Sequence, residues 1–352
     1  MSFGGEGDIE FEVRGSAGVI TMTRPKALNA INDRMVLAID AALDAWQSDA
    51  RVRHIVLKGE GRAFSAGGDL LALYEMAKSG HPHYDFFRDE YALNARLGNF
   101  EKPIVALING IIMGGGVGVA VHGRYRVMSE NAVFAMPEVG IGFFPDVGGS
   151  HFLPRLPNNF GMYLALTGSR IRVGDALACG IATHGVAADN LGDLEEALCA
   201  SEDAAAVLDR FDERGALPPA KLDHEAIGRL FSANSIAGII ADLEAAKDGS
   251  ELANAALEAM RTKSPTSMSV AFRQLQEGKK LNLADCMRME FRILVRMLRG
   301  HEFVEGIRAV IVDKSNDPTW HPASLDEVTA EAVDAYFQPL GDDELTAFAG
   351  KT

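Results

Sequence analysis

In the first half of the chain short apolar runs alternate with a stretch of helical spacing, and after about Leu156 the strand-like runs give way to helical ones. GVITMT (Gly18 to Thr23) and RHIVLKG (Arg53 to Gly59) read as strands, and between them NDRMVLAIDAALDAWQSD places apolar residues at helical intervals. IVALINGIIM, Ile104 to Met113, reads as a third strand, and YRVMSENAVFAMP as two short strands joined by the polar turn Ser129-Glu130-Asn131. Strands alternating with helices point to an α/β class with largely parallel pairing. Further on, MYLALTGSRI, VGDALACG and LGDLEEALCA are helical in pattern, and from Lys221 nearly every segment is, SPTSMSVAFRQLQEGKK and LADCMRMEFRILVRMLRG among them. Ser264-Pro265 reads as an N-cap followed by proline at the first helical position. ALPPAK, around Ala216 to Lys221, breaks the pattern and sets an expected division into residues 1–215 and 216–352.

Composition narrows the function. The 352 residues are 47% hydrophobic and 24% charged, ordinary for a globular chain, and the formal net charge of −15 argues against a nucleic-acid surface, which needs a clustered basic face. Cys179, Cys199 and Cys286 lie far apart without a C-x-x-C pair, so neither a zinc site nor a disulfide framework is expected. The N-terminus is acidic and carries no basic start before an apolar core, and no apolar run reaches membrane-spanning length. The expectation is a cytoplasmic protein with no membrane partner.

Two glycine turns follow strand-like runs: GRAFSAGGDL (Gly61 to Leu70) and NGIIMGGGVGVAVHG (Asn109 to Gly123). The second fits neither a dinucleotide nor a phosphate-loop fingerprint. Each is either a plain strand-to-helix connection or the source of one backbone N–H for a developing oxyanion. A third stretch, FAMPEVGIGFFPDVGGSHFLPRL, carries Glu138 and Asp146 in apolar surroundings. Either Pro137-Glu138 and Pro145-Asp146 are exposed turn dipeptides or both acids line a pocket. In HYDFFRDEYALNARL, Glu90 shares a helix face with Phe86 and Leu93, and spacing alone favours the core rim over a cavity.

Together these motifs resemble the crotonase, or enoyl-CoA hydratase/isomerase, superfamily. RPKALNAIN, AFSAGGDL, NGIIMGGGVG and PEVGIGFFPDVGG occur in its order and at its separations. The resemblance implies an α/β crotonase-like superhelix of ββα turns followed by an α-helical C-terminal region, a CoA thioester substrate, and an oxyanion hole from the N–H groups of Gly68 and Gly115. Hydratases carry a glutamate just after the glycine triplet as well as the one in the Pro-Glu motif; here the first position is Gly118. FFRDEYALN, MGGGVGVAVHGRYRV, FPDVGGSHFLPRL and HEFVEGIRAVIVDKSNDPTW extend the similarity over nearly the whole chain to the 3-hydroxyisobutyryl-CoA hydrolase family, thioesterases of valine breakdown.

That resemblance makes Glu90, Gly115, Glu138 and Asp146 substrate-site positions, with Glu138 as general base or nucleophile and Asp146 on the 3-hydroxyl or the attacking water. It puts Lys26, Ala27 and Leu28 beside the nucleotide, with Ser65, Ala66, Gly67, Gly68 and Asp69 along the adenine and pantetheine side. No metal or separate cofactor is implied, since coenzyme A belongs to the substrate. A homo-oligomer is compatible with the superfamily, whose members often form trimers or dimers of trimers. The alternatives are a hydratase or isomerase acting through Glu138 alone and a non-catalytic assembly protein on the same fold.

Overall fold

Among the described residues ten strands fall into two sheets: β1 (Ile9–Arg14), β2 (Ala17–Met22), β3 (His54–Gly59), β4 (Ala63–Ser65), β5 (Ile104–Ile108), β6 (Ile111–Met113), β7 (Tyr125–Met128), β8 (Val133–Ala135), β9 (Ile171–Arg172) and β10 (His184–Gly185). The computed structural model describes residues 3–5, 7–79 and 84–346. The larger sheet has the order β1-β2-β3-β5-β7-β10, parallel except for the β1/β2 hairpin. The smaller has the order β4-β6-β8-β9.

The sequence explains the two-sheet arrangement. Each of β3, β5 and β7 bends over two to four residues and continues as a short strand of the other sheet, β4, β6 and β8. Ile104–Met113 is therefore two strands in different sheets rather than the single one its apolar run suggested. The break falls at Gly110, where φ is +90° and a Cβ would collide with the Arg62 carbonyl. Ser129-Glu130-Asn131 likewise joins strands of separate sheets. Helices Leu70–Lys78 and Gly115–Val121 follow β4 and β6, completing the ββα turns of a crotonase fold.

The chain divides into two compact units with interleaved segments. The first comprises Met1–Gly68, Ala92–Phe134 and Ile171–Lys221 and holds both sheets. Val19, Val56 and Val105 are in register across β2, β3 and β5, and they pack with Val127, Val186, Leu194, Leu198, Val207 and Leu208 into one core. Those last four lie on helices Leu191–Ala200 and Ala204–Phe211, so a parallel sheet is covered by helices, as its unbroken apolar strands require.

The second unit comprises Asp69–Tyr91, Ala135–Arg170 and Leu222–Thr352 and is helical. Its helices start where the sequence places caps: the side chains of Asp223, Ser235, Ser250, Ser264, Asn282 and Thr329 each accept from the N–H three residues on. Ser264 is fully buried and also donates to Glu302. The helix His301–Ile307 presses Gly306 onto Ile141 so closely that no side chain fits between them. The short 3-10 turn Glu138–Ile141 is thereby held by the C-terminal helices, and the Ser264 N–H adds a bond to Val139 O at 3.1 Å. Among the described residues no helix is long and apolar enough to cross a membrane.

Candidate active site

In the first unit β4 and β6 pair in parallel, so both strands end on the same side and both run into glycine turns. The turns are neighbours. A Cβ built on Gly67, whose φ is +119°, would lie 3.9 Å from the Gly115 nitrogen, and one on Gly116 would collide with the Ser65 carbonyl. Gly115 opens its helix with Gly114 as the cap residue, which leaves its N–H outside the helical bonding pattern. Among the described residues no protein acceptor meets the N–H of Gly68 or of Gly115. Two adjacent donors without acceptors are what an oxyanion requires.

The segment before the first helix is zipped against one of these turns. Ala66 N donates to Leu28 O at 2.9 Å, Ile31 N to Gly67 O at 2.8 Å, and Ile31 forms a parallel bridge with Gly68. Lys26, Ala27 and Leu28, which form the 3-10 turn Pro25–Ala27 and its cap, thus lie beside Ser65, Ala66 and Gly67. Lys26 and Ala27 are exposed, Leu28 is half-buried, and Ser65 is buried. The loop keeps its shape through Asn29, fully buried at φ +55°, whose amide donates to Glu60 O at 2.9 Å and Ala63 O at 2.8 Å while its oxygen accepts from Arg24 N. Asp69 occupies the N-cap position of Leu70–Lys78.

The acids gather in the second unit. Glu138 and Asp146 are 5% and 6% exposed, so neither belongs to an exposed turn. Glu90, at 2%, is buried rather than at the rim that spacing favoured. Glu138 Oε2 has no hydrogen-bond partner among the described residues. Its carboxyl holds its proton far above the usual range, mainly because burial removes water and secondly because Asp146 is close. Asp146 accepts from the Tyr91 hydroxyl at 2.9 Å. Burial lifts it from 3.8 to about 7, against the lowering effect of that bond. Tyr91 is itself pushed up by burial and by the fields of Asp146, Glu290 and Glu90.

Two residues of this cluster were not singled out from the sequence. Tyr91 follows Glu90 on the helix Asp85–Asn99, and its aromatic character reads simply as core. Glu290 lies in the helix Leu283–Met297, fully buried, and accepts from Gly148 N at 2.8 Å, Ser150 N at 2.9 Å and the Ser150 hydroxyl. Its one sequence signal is position: Met287, Ile293 and Leu294 lie three or four residues from it, so it shares their buried face.

Paired glycine turns on ββα units define a crotonase-type protein. A model of the enoyl-CoA hydratase/isomerase family matches residues 17–337, and the chain belongs to that family. It is 45% identical to the 3-hydroxyisobutyryl-CoA hydrolase of Xenopus tropicalis over 97% of this chain and 91% of that one, and 43% identical to the human protein of that name over 96% and 90%. Both of those proteins are described as mitochondrial. Among solved structures it resembles a carnitinyl-CoA dehydratase from Mycobacterium thermoresistibile (TM-score 0.91, 40% identity, 98% of this chain and 100% of that one). It also resembles an enoyl-CoA hydratase from Rhodobacter sphaeroides (TM-score 0.87, 38% identity, 96% and 99%).

Proposed function

We infer that this chain hydrolyses the thioester of a short β-hydroxyacyl-CoA, 3-hydroxyisobutyryl-CoA foremost, giving the free acid and CoA. The observation that carries this is a buried Glu138 with one oxygen open, in a chain whose helix Gly115–Val121 contains no acid at all. Water addition across a double bond shared between two glutamates lacks its second member at Gly118. Thioester hydrolysis needs only one attacking group and a place for the oxyanion. Near-complete alignment with relatives named as hydrolases points the same way.

In this mechanism the Gly68 and Gly115 amides take up the negative charge that develops on the thioester oxygen. Glu138 acts on the carbonyl carbon, either by drawing a proton from water or by direct attack to form a mixed anhydride that water then opens. In both routes the C–S bond breaks and the CoA sulfur receives a proton; the water oxygen ends in the product carboxylate in the first route, and in the product or in Glu138 in the second, according to which anhydride carbonyl water attacks. Asp146 and Glu90 hydrogen-bond the 3-hydroxyl and acyl end. Lys26, Ala27, Leu28, Ser65, Ala66, Gly67 and Asp69 accompany the CoA moiety, supported by the bond that ties Leu28 to Ala66. We assign the chain to the cytoplasm on its unpaired, buried cysteines, although the relatives named above are mitochondrial.

The two solved structures are named as a dehydratase and a hydratase, which favours a second activity, hydration or dehydration of an acyl-CoA. Free-thiol release from 3-hydroxyisobutyryl-CoA, run beside the absorbance change of crotonyl-CoA, separates them. Thiol release with no change in crotonyl-CoA supports the hydrolase, and the reverse pattern removes it.

A further inference from the structure

The loop that carries Asp146 is held from outside by two C-terminal helices. Gln274, fully buried on the helix Pro265–Gly278, donates its amide to Pro145 O at 2.5 Å, one residue before Asp146. Glu290 takes the N–H groups of Gly148 and Ser150, one on each oxygen, together with the Ser150 hydroxyl. Between these anchors Val147 has φ +48°, a left-handed conformation that a β-branched residue adopts only when its surroundings impose it. A turn so bent does not hold itself. Asp146 meanwhile contributes its own carbonyl to Gly149 N at 2.7 Å and its carboxylate to Tyr91.

We propose that Glu290 is a positioning residue for Asp146: by clamping the Val147–Ser150 turn through both carboxylate oxygens, it fixes where the Asp146 carboxyl stands at the acyl end of the substrate. This rests on the assignment of Asp146 to the acyl site. The same clamp gives the C-terminal helical region a task in the chemistry, since it supplies Glu290 and Gln274. Glu290 is also electrically tied to its target. Burial raises it from 4.5 to about 8, the Ser150 and Gly148 donors oppose that rise, and Asp146 adds to it. The other titratable groups around it are Tyr91, which feels its field, and Cys286 one turn earlier, whose thiol its charge helps to raise.

Glu290→Gln keeps the shape but replaces one acceptor oxygen with an N–H that faces a backbone N–H. The expected result with 3-hydroxyisobutyryl-CoA is a fall in kcat of about 10- to 100-fold, with KM changed by less than about threefold. The 13C shift of the Asp146 carboxyl, followed against pH, reports the pair without needing turnover. In the wild-type protein Glu138 and Glu290 both ionise beside it and each leaves an inflection on its titration, and in Glu290→Gln the one from Glu290 is lost. Should Glu290→Gln fail to fold, Ser150→Ala removes one donor from the clamp, and a fall in kcat of about three- to tenfold is expected. Wild-type kcat in either folded variant overturns the proposal, as does an Asp146 titration identical in Glu290→Gln. A wild-type protein that releases no thiol overturns the hydrolase assignment instead, and the carboxyl titration still decides whether Glu290 governs Asp146.

Discussion

Glu138 and Asp146 are both acids buried among apolar residues, but their partners differ, and the difference sets their tasks. Glu138 keeps an oxygen open, whereas Asp146 is engaged by Tyr91. Replacing Glu138 by Gln keeps the volume and removes the basic oxygen. Thiol release from 3-hydroxyisobutyryl-CoA is expected to drop by about 10²- to 10⁴-fold while the circular dichroism spectrum stays that of the wild type. Near-normal turnover would take Glu138 out of the mechanism. A single turnover in 18O water then tests its two routes: unlabelled first product marks the nucleophile, with water opening the anhydride at the Glu138 carbonyl, whereas labelled product fits the base or an anhydride opened at the substrate carbonyl. Tyr91→Phe tests the neighbouring bond. The hydroxyl favours the charged form of Asp146, so its loss should raise Asp146 further above about 7 and move the acid limb of kcat/KM up by about one pH unit. An unmoved limb would show that Asp146 does not set it.

At the scale of elements, the close approach of the helix Gly115–Val121 to β4 sets the spacing of the two glycine turns, and with it that of the two amides in the proposed oxyanion hole. Gly116→Ala places a methyl against the Ser65 carbonyl and side chain, so helix and strand must separate. The expected cost is about 1–3 kcal/mol of stability by urea unfolding, and a loss of about 10²-fold in kcat measured on the folded fraction. Full activity in a folded variant would mean that the amide spacing is not critical. Glycines crowded by backbone announce themselves in a sequence, and for that reason these turns were legible there, whereas the ββα arrangement came only through the family resemblance. The capped C-terminal helices were legible for a similar reason, because Ser264 caps and Pro265 starts a helix by local chemistry alone. Strands β4, β9 and β10 were not, being two or three residues long, too short for any period to appear. The split of Ile104–Met113 was hidden by its continuous apolar run. Glu290 was the costliest omission: it meets Gly148 across 142 residues of chain, and local patterning carries no trace of such a contact.

Over the whole molecule, the buried acids oppose the chain's stability as pH rises. A carboxyl whose folded pKa is raised gives stability that is complete below its unfolded pKa and is lost as pH climbs through the folded value. Asp146, from 3.8 to about 7, and Glu290, from 4.5 to about 8, place that loss between about pH 4 and 8, and Glu138 adds to it in the same direction. For Asp146 the ceiling is about 4 kcal/mol at about 1.4 kcal/mol per pH unit, and relaxation around the charge reduces what is measured. Glu305 behaves oppositely: bonded by Arg308, it is held at about 2, and its contribution disappears only as pH falls from about 4 toward that value. The unfolding free energy in urea should therefore be highest near pH 5 and decline toward pH 8.5. Part of that decline comes from general repulsion in a chain of formal charge −15, which high salt screens. The double variant Glu138→Gln/Asp146→Asn isolates the share of those two acids, with Glu290 left in place. In high salt it should unfold with about 1–2 kcal/mol more stability than wild type at pH 8, and with almost none at about pH 3, where the wild-type acids are largely protonated in both states. Equal stabilities at pH 8 would mean that both acids ionise in the fold at no cost, which two carboxyls so deeply withdrawn from water can do only if a cation reaches them.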